Sequence, residues 1–185
     1  MIKLWVWLFK FFGWKVTGEV PYHLKKCVVV VGPHTSFWDF MVGVPARAIL
    51  GLESKYFIKS DLCKGPLGKL LIKLGAIPVD RKKNNTRLVD LAINEFNARE
   101  ELIIAVTPEG TRSYSPKWKS GFWHIARGAN IPIIMIGFCF KRKEVVIGDY
   151  FMPSDDKEAD ILKIKTYLSD FTGKHPEKGI LKSEL

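Results

Sequence analysis

Short apolar runs alternate along the chain with segments whose apolar residues recur every three or four positions. Short runs bounded by glycine, proline or charged residues are typical of buried strands, whereas the longer spacing is typical of amphipathic helices. The apolar runs predict strands at residues 27–31, 56–58, 76–79, 102–106 and 131–140, with residues 145–147 as a candidate extension of the sheet.

Helical spacing fills the intervals between these strands. It predicts helices at residues 37–50, 66–74, 86–99 and 157–172, and a further helix that opens at residues 119–121. Strands that alternate with helices favour an α/β fold with a mostly parallel central sheet flanked by helices. We therefore predict a single α/β domain at residues 21–175, followed by a C-terminal tail at residues 176–185.

Residues 1–20 differ from the rest of the chain because they combine tryptophan and phenylalanine with lysine. The longest apolar run there, residues 4–9, is much shorter than the ~20 residues that a membrane-spanning helix requires. Lys3 and Lys10 share one helical face, and large aromatic residues cover most of the remaining circumference. This composition is typical of a short amphipathic helix in the membrane interface. We therefore predict a protein that is peripheral or monotopic on the cytoplasmic face of a membrane; an ordinary helix packed on the core is the alternative.

Charge narrows the choice of partners. The chain has 29 Lys and Arg against 19 Asp and Glu, a net charge of +10, which favours nucleic acid, phosphorylated small molecules or an anionic membrane surface. A merely solvated basic surface is the other explanation. The densest aromatic cluster lies at the N-terminus with only three lysines, so we expect no nucleic-acid partner. Three widely spaced cysteines without a CxxC pair exclude a disulfide scaffold and a structural zinc site.

The first candidate for chemistry follows the strand at residues 27–31. Ligands of parallel sheets bind beyond the carboxyl ends of the strands, and His34 lies there, five positions before Asp39. If His34 is in the loop and Asp39 in the first helical turn, the carboxylate can reach the imidazole and orient it as a general base. Alternatively, Ser36 and Asp39 form a capping box and His34 is a satisfied structural residue.

Two further junctions carry arginine. Arg81 follows the strand at residues 76–79, and its planar guanidinium matches phosphate oxygens. After residues 102–106, proline and glycine around Glu109 predict a tight turn that aims Glu109 and Arg112 into the crevice of His34; a surface β-turn with a Glu–Arg pair is the alternative. Lys59 is an additional candidate for contact with an anion.

Together these junctions resemble the glycerophospholipid acyltransferase family, whose best-known members are the lysophosphatidate acyltransferases. The resemblance extends from about residue 28 to residue 138 and rests on four blocks in the family's order. These blocks are HTSFWD at residues 34–39, AIPVDR at 76–81, PEGTRS at 108–113 and IPI at 131–133.

The resemblance implies transfer of a fatty acyl group from acyl-CoA or acyl carrier protein to the free hydroxyl of a lysophospholipid-like acceptor, with 1-acylglycerol-3-phosphate as the first candidate. It implies no metal ion and no cofactor beyond the thioester co-substrate. The implied residues are His34 as general base, Asp39 as its orienting group, Arg81 and Arg112 as ligands of the acceptor phosphate, and Glu109, Gly110 and Thr111 as acceptor-positioning residues.

The sequence is compatible with two alternatives to this function. The acceptor could be another lysolipid, such as an aminoacyl lipid, because its amine or hydroxyl would face a similar base. The chain could also be a non-catalytic protein that binds membrane lipids with the same fold.

Overall fold

A computed structural model describes residues 2–79 and 85–181, with side chains described from residue 88 in the second range. Within these ranges the chain forms seven strands and six α-helices. The strands are β1 Lys15–Thr17, β2 Lys26–Gly32, β3 Ser54–Lys59, β4 Ala76–Val79, β5 Leu102–Val106, β6 Ile133–Cys139 and β7 Glu144–Phe151. The helices are α1 Ile2–Phe11, α2 Trp38–Ile49, α3 Gly65–Lys73, α4 Asn85–Ala98, α5 Gly121–Gly128 and α6 Lys157–Ser169, with 3₁₀ turns at Ser60–Cys63 and Pro176–Lys178.

The seven strands form one sheet in the order β1-β7-β6-β2-β5-β3-β4. Every neighbouring pair is parallel except β6 and β7, which are antiparallel. This confirms the predicted α/β domain with a mostly parallel sheet. β2 lies at the centre, between β6 and β5, so the loop that follows it opens at the middle of the sheet's carboxyl edge.

The helices cover the sheet on both faces. Parallel crossovers are right-handed, and the strand order therefore places α2 and α3 on one face and α4 and α5 on the other. On the α2 face, Phe9 of α1 and Val42 of α2 belong to one buried cluster with Val29 of β2. On the opposite face, Phe96 of α4 and Leu168 of α6 pack in a second cluster with other strand residues. Two cores thus sandwich the sheet.

The predicted helix at residues 37–50 is α2, and it continues through Pro45. Val42, Val44 and Ala46 are buried, as expected for a core helix, but the first turn is different. Phe37 and Trp38 are more than half exposed, so the end of the helix that follows His34 presents aromatic rings to the surface.

Two elements depart from the sequence prediction. β1 is a three-residue strand that pairs with β7 at the sheet edge. A segment this short shows no recognisable alternation of apolar and polar residues, so the sequence pattern did not predict it. The candidate extension at residues 145–147 lies in the first half of an eight-residue strand that runs antiparallel to β6.

After α6 the chain crosses the carboxyl edge of the sheet. The amide of Phe140 donates to the carbonyl of Thr172 (2.8 Å), and the amide of His175 donates to Oγ1 of Thr35 (3.2 Å). Gly173 lies so close to Thr35 that a Cβ there would stand 2.6 Å from Oγ1. We call residues 172–180 the C-terminal strap, because they pack across the loop that carries His34.

Candidate active site

His34 and Asp39 lie together at the carboxyl end of β2. His34 is in the loop after Gly32, and Asp39 is in the first turn of α2. Nδ1 of His34 is 2.8 Å from Oδ2 of Asp39. The spacing of five residues therefore joins loop to helix, which is the arrangement that allows the two side chains to meet.

The Asp39 carboxylate has a second task in the same place. Its Oδ2 also accepts from the backbone N–H groups of Thr35 (2.9 Å) and Ser36 (3.0 Å), while Oγ of Ser36 accepts from the amide of Trp38 (3.2 Å). These contacts anchor the N-terminus of α2, as a capping residue does. One carboxylate therefore both caps the start of α2 and contacts the imidazole of His34.

These contacts fix the hydrogen on the imidazole. A carboxylate oxygen accepts hydrogen bonds, so in the neutral imidazole Nδ1 of His34 carries the proton in the pair with Asp39 and Nε2 is the acceptor. The Asp39 side chain is 3% exposed, whereas that of His34 is 24% exposed. The buried Asp39 therefore holds the ring through Nδ1, while part of the His34 side chain stays accessible to solvent.

Glu109 approaches the same loop from the neighbouring strand. It lies three residues beyond the end of β5, and its Oε1 accepts from the backbone N–H of His34 (3.0 Å). Gly32 permits this approach, since a Cβ there would stand 3.3 Å from Oε1 and 2.9 Å from Cδ1 of Leu168. Gly110, with φ of +64°, completes the tight turn. Glu109 is buried, so it is not the surface ion pair that the turn alone would allow.

Burial sets the electrostatics of Glu109. Desolvation raises the pKa of this carboxyl above its ordinary range, against the lowering effect of backbone N–H donors that include His34. The charge of Asp39 adds a smaller upward contribution to this pKa. Within the described residues, Oε2 of Glu109 and Oδ1 of Asp39 are buried and make no hydrogen bond. The site therefore holds two carboxyl groups with free acceptor capacity beside the imidazole.

The other sequence-derived candidates lie further out. Thr111 and Arg112 are exposed on the turn after Gly110, where Oγ1 of Thr111 accepts from the amide of Ser113 (3.2 Å). Arg81 lies outside the described residues. Lys59, at the end of β3, is exposed and pairs with Asp61 at 2.9 Å.

Three lysines near the Glu109 turn come from different parts of the fold. The side chain of Lys119 packs against Gly110, where a Cβ would stand 2.9 Å from its Cδ. Lys165 of α6 and Lys178 of the C-terminal strap line a cavity of about 10 Å³ beside Glu109, roughly the size of one water molecule. Lys119 opens a predicted helix, but only the tertiary structure brings Lys165 and Lys178 to this turn.

A set of aromatic rings lies at the start of α2, a few residues after His34. Phe37 stacks on Phe40 with 6.0 Å between ring centroids, and Phe40 contacts Trp5 of α1 at 6.5 Å. Phe40 also contacts Tyr56 of β3 at 6.1 Å. α1 therefore reaches the start of α2 directly through Trp5 and Phe40, and the exposed Phe37, three residues after His34, belongs to the same set of ring contacts.

A larger groove, of about 490 Å³, opens at the other end of the strands. Its lining includes no residue of the His34 loop or of the Glu109 turn. Its floor consists of aliphatic residues and a cysteine from four strands: Cys27, Val29, Ile103, Ile134, Ile136 and Ile147.

Comparisons with known proteins identify the family and the fold. The family model described as Acyltransferase matches residues 13–138, roughly two thirds of the chain. The structure resembles that of a 1-acyl-sn-glycerophosphate acyltransferase, PlsC, from Thermotoga maritima, with a TM-score of 0.60 and 20% sequence identity over 90% of this chain and 74% of that one. At this identity the likeness shows the fold. No curated protein sequence matches the chain significantly.

Glu109→Gln tests the burial of the carboxyl group. The pKa of Glu109 is raised in the folded state, so its contribution to stability is complete below the unfolded pKa and is lost as pH rises through the folded one. The amide oxygen of glutamine can still accept from the His34 N–H. We therefore expect Glu109→Gln to unfold at higher urea concentration than the parent at pH 7, and this gain to disappear below about pH 4.

The matched control is Glu100→Gln, because Glu100 is exposed in the loop before β5. It should follow the parent at every pH. A Glu109→Gln variant that is less stable than the parent near neutral pH, or whose difference from the parent does not change with pH, would contradict the account.

Proposed function

Because the chain belongs to the acyltransferase family, we propose that it moves a fatty acyl group from an acyl thioester to the free hydroxyl of a lysophospholipid-like acceptor. Acyl-CoA or acyl carrier protein is the donor. The observation that carries the proposal is the 2.8 Å contact between Nδ1 of His34 and Oδ2 of Asp39 at the carboxyl end of β2.

His34 starts the reaction as general base. Its Nε2 takes the proton of the acceptor hydroxyl as the oxygen attacks the thioester carbonyl carbon, and Asp39 stabilises the imidazolium through Nδ1. The tetrahedral intermediate collapses with cleavage of the carbon–sulfur bond. The leaving thiolate takes the proton from Nε2, which yields the ester product and a free thiol and restores the neutral imidazole.

Direct attack needs no acyl-enzyme. Among the described residues, the hydrogen bond of the His34 ring is to Asp39, and no serine or cysteine is bonded to it. Cys27 and Cys139 are buried, and Cys63 belongs to the 3₁₀ turn before α3. The proposed chemistry is a proton transfer and an acyl transfer, so it requires no metal ion and no cofactor beyond the thioester.

The acceptor is proposed to carry a phosphate. Arg112 on the exposed turn beside Glu109 and, by its place in the sequence motif, Arg81 are its proposed ligands. Lys119, Lys165 and Lys178 add positive charge around the same turn. The similarity to a 1-acyl-sn-glycerophosphate acyltransferase supports 1-acylglycerol-3-phosphate as the acceptor. Glu109, Gly110 and Thr111 would position its glycerol group.

The proposed location is the cytoplasmic face of a membrane, with α1 in the interface. None of the helices in the described part of the chain is long and apolar enough to cross a bilayer. α1 packs on the core through Phe9 and leaves its other side bare, next to the exposed ammonium groups of Lys3 and Lys10. The exposed apolar residues of this segment are Ile2, Leu4, Trp7, Phe11 and Phe12. Such a helix suits an anionic lipid surface.

His34→Ala tests the assignment of the base. Loss of a general base lowers the rate by typically ~10²–10⁴-fold, and we expect this loss in kcat with KM changed far less. The measurement is release of free thiol from acyl-CoA in the presence of 1-acylglycerol-3-phosphate, with the lipid product identified by mass spectrometry. Other lysolipids, including an aminoacyl lysolipid, serve as competing acceptors.

Ser36→Ala is the control, because it removes the capping bond to Trp38 and leaves Asp39 in place. It should cost about 1 kcal/mol of stability and change kcat only a few-fold. Equal turnover by His34→Ala and the parent would refute the mechanism. A parent that binds lipid but forms no ester with any acceptor would favour a non-catalytic lipid-binding protein.

Leu4→Glu tests the membrane contact of α1. Leu4 is 58% exposed, so the change should leave the fold intact and weaken co-sedimentation with vesicles of phosphatidylcholine and phosphatidylglycerol. Leu91→Glu is the matched control, since Leu91 is 59% exposed on α4, across the sheet. Deleting residues 1–20 would be a less specific test, because it would also remove Phe9 from the core and β1 from the sheet. Equal binding by both variants would rule out docking through α1.

A further inference from the structure

α3 is an apolar helix that neither core uses. Gly68 is its one buried residue, and none of its aliphatic side chains belongs to or packs against either of the two buried clusters. Leu67 is 60% exposed and Ile72 is 48% exposed, and Leu62 in the preceding 3₁₀ turn is 51% exposed. The aliphatic residues at and beside this helix are Leu62, Leu67, Leu70, Leu71, Ile72 and Leu74.

Backbone contacts hold α3 in place. Gly68 lies against the backbone of Cys63, so closely that a Cβ would overlap it. Oη of Tyr56 donates to the carbonyl of Leu71 (3.3 Å), and the guanidinium of Arg47 donates to the carbonyl of Leu74. These bonds place the helix, its remaining leucines are only partly buried, and Leu67 and Ile72 stay exposed.

The charge around this surface selects the kind of partner. Residues 61–74 contain three exposed lysines, Lys64, Lys69 and Lys73, and one acidic residue, Asp61, which lies 3.9 Å from Lys64 and also pairs with Lys59. Exposed aliphatic side chains with a net excess of lysines beside them are complementary to an anionic lipid surface, where the aliphatic groups enter the interface and the ammonium groups stay near phosphates. A second copy of this chain fits less well, because a net charge of +10 would oppose it.

α3 lies on the same side of the sheet as α1. Right-handed crossovers put α2 and α3 on one face, and α1 packs on α2. Rings join the two ends of this side: Trp5 contacts Phe40, Phe40 contacts Tyr56, and Tyr56 bonds to Leu71 of α3. The exposed Phe37, three residues after His34, belongs to the same ring cluster.

We infer that α3, with Leu62, is a second membrane contact that acts together with α1. This inference rests on the proposed docking through α1 and extends it. A single interfacial helix leaves the domain free to rotate about the helix axis, whereas two helices on one face define a plane. With both in contact, the aromatic residues between them face the lipid, and an acceptor can reach His34 from the bilayer without crossing water.

Leu67→Glu is the test variant. It should raise the apparent Kd for vesicles of phosphatidylcholine and phosphatidylglycerol roughly tenfold, because one exposed leucine no longer enters the interface. Leu91→Glu, at matched exposure on the opposite face, should bind like the parent. Circular dichroism and thermal unfolding check that each variant is folded. Leu67→Glu should also keep its turnover on a water-soluble short-chain acceptor and lose turnover on an acceptor embedded in vesicles.

The outcomes distinguish the proposed α3 contact from the proposed docking through α1, on which it rests. If Leu4→Glu weakens vesicle binding and Leu67→Glu does not, α1 docks alone and the inference is overturned. If neither variant differs from Leu91→Glu, the membrane docking itself fails. If Leu67→Glu converts a dimer to a monomer in sedimentation equilibrium while vesicle binding is unchanged, the α3 surface joins two copies of the chain, and the inference is again overturned.

Discussion

One oxygen atom organises the candidate active site. Oδ2 of Asp39 accepts from the imidazole of His34 and from two successive backbone amides, so a single buried carboxylate fixes the ring, the loop and the first turn of α2. The loop is confined on its other sides as well. Glu109 bonds to the amide of His34, and the C-terminal strap packs on Thr35. The imidazole is therefore preorganised, with its second nitrogen directed away from the carboxylate that holds it.

Much of the fold could be predicted because the apolar runs and the helical spacing of the sequence coincide with the strands and helices that pack in the domain. The strands at residues 76–79 and 102–106 have the predicted bounds, since each is a compact apolar run between clear boundaries. The antiparallel direction of β7 and the edge strand β1 could not be predicted, because strand direction and edge pairing depend on distant partners. α3 shows the limit: its spacing correctly predicts a helix, but the way the helix is held could not be predicted, because it depends on the close approach of Gly68 to Cys63 and on backbone contacts.

The site was predictable to the extent that its residues adjoin in sequence. His34 and Asp39 meet because five residues span a loop and one helical turn, and Glu109 joins them because β5 is the neighbour of β2. The burial of Glu109 was not predictable, since it depends on Gly32 and on α6. The same is true of the strap, whose contact with Thr35 bridges 140 positions of the sequence.

The most direct test of the account is the protonation of the two ring nitrogens of His34. Nitrogen-15 NMR of histidine-labelled protein, assigned by comparison with His34→Ala, measures it in the neutral imidazole. We predict a protonated Nδ1 and a bare Nε2, with this preference lost in Asp39→Asn. A protonated Nε2 beside a bare Nδ1, or a tautomer mixture that Asp39→Asn does not change, would contradict the claim that Asp39 prepares His34 as the base.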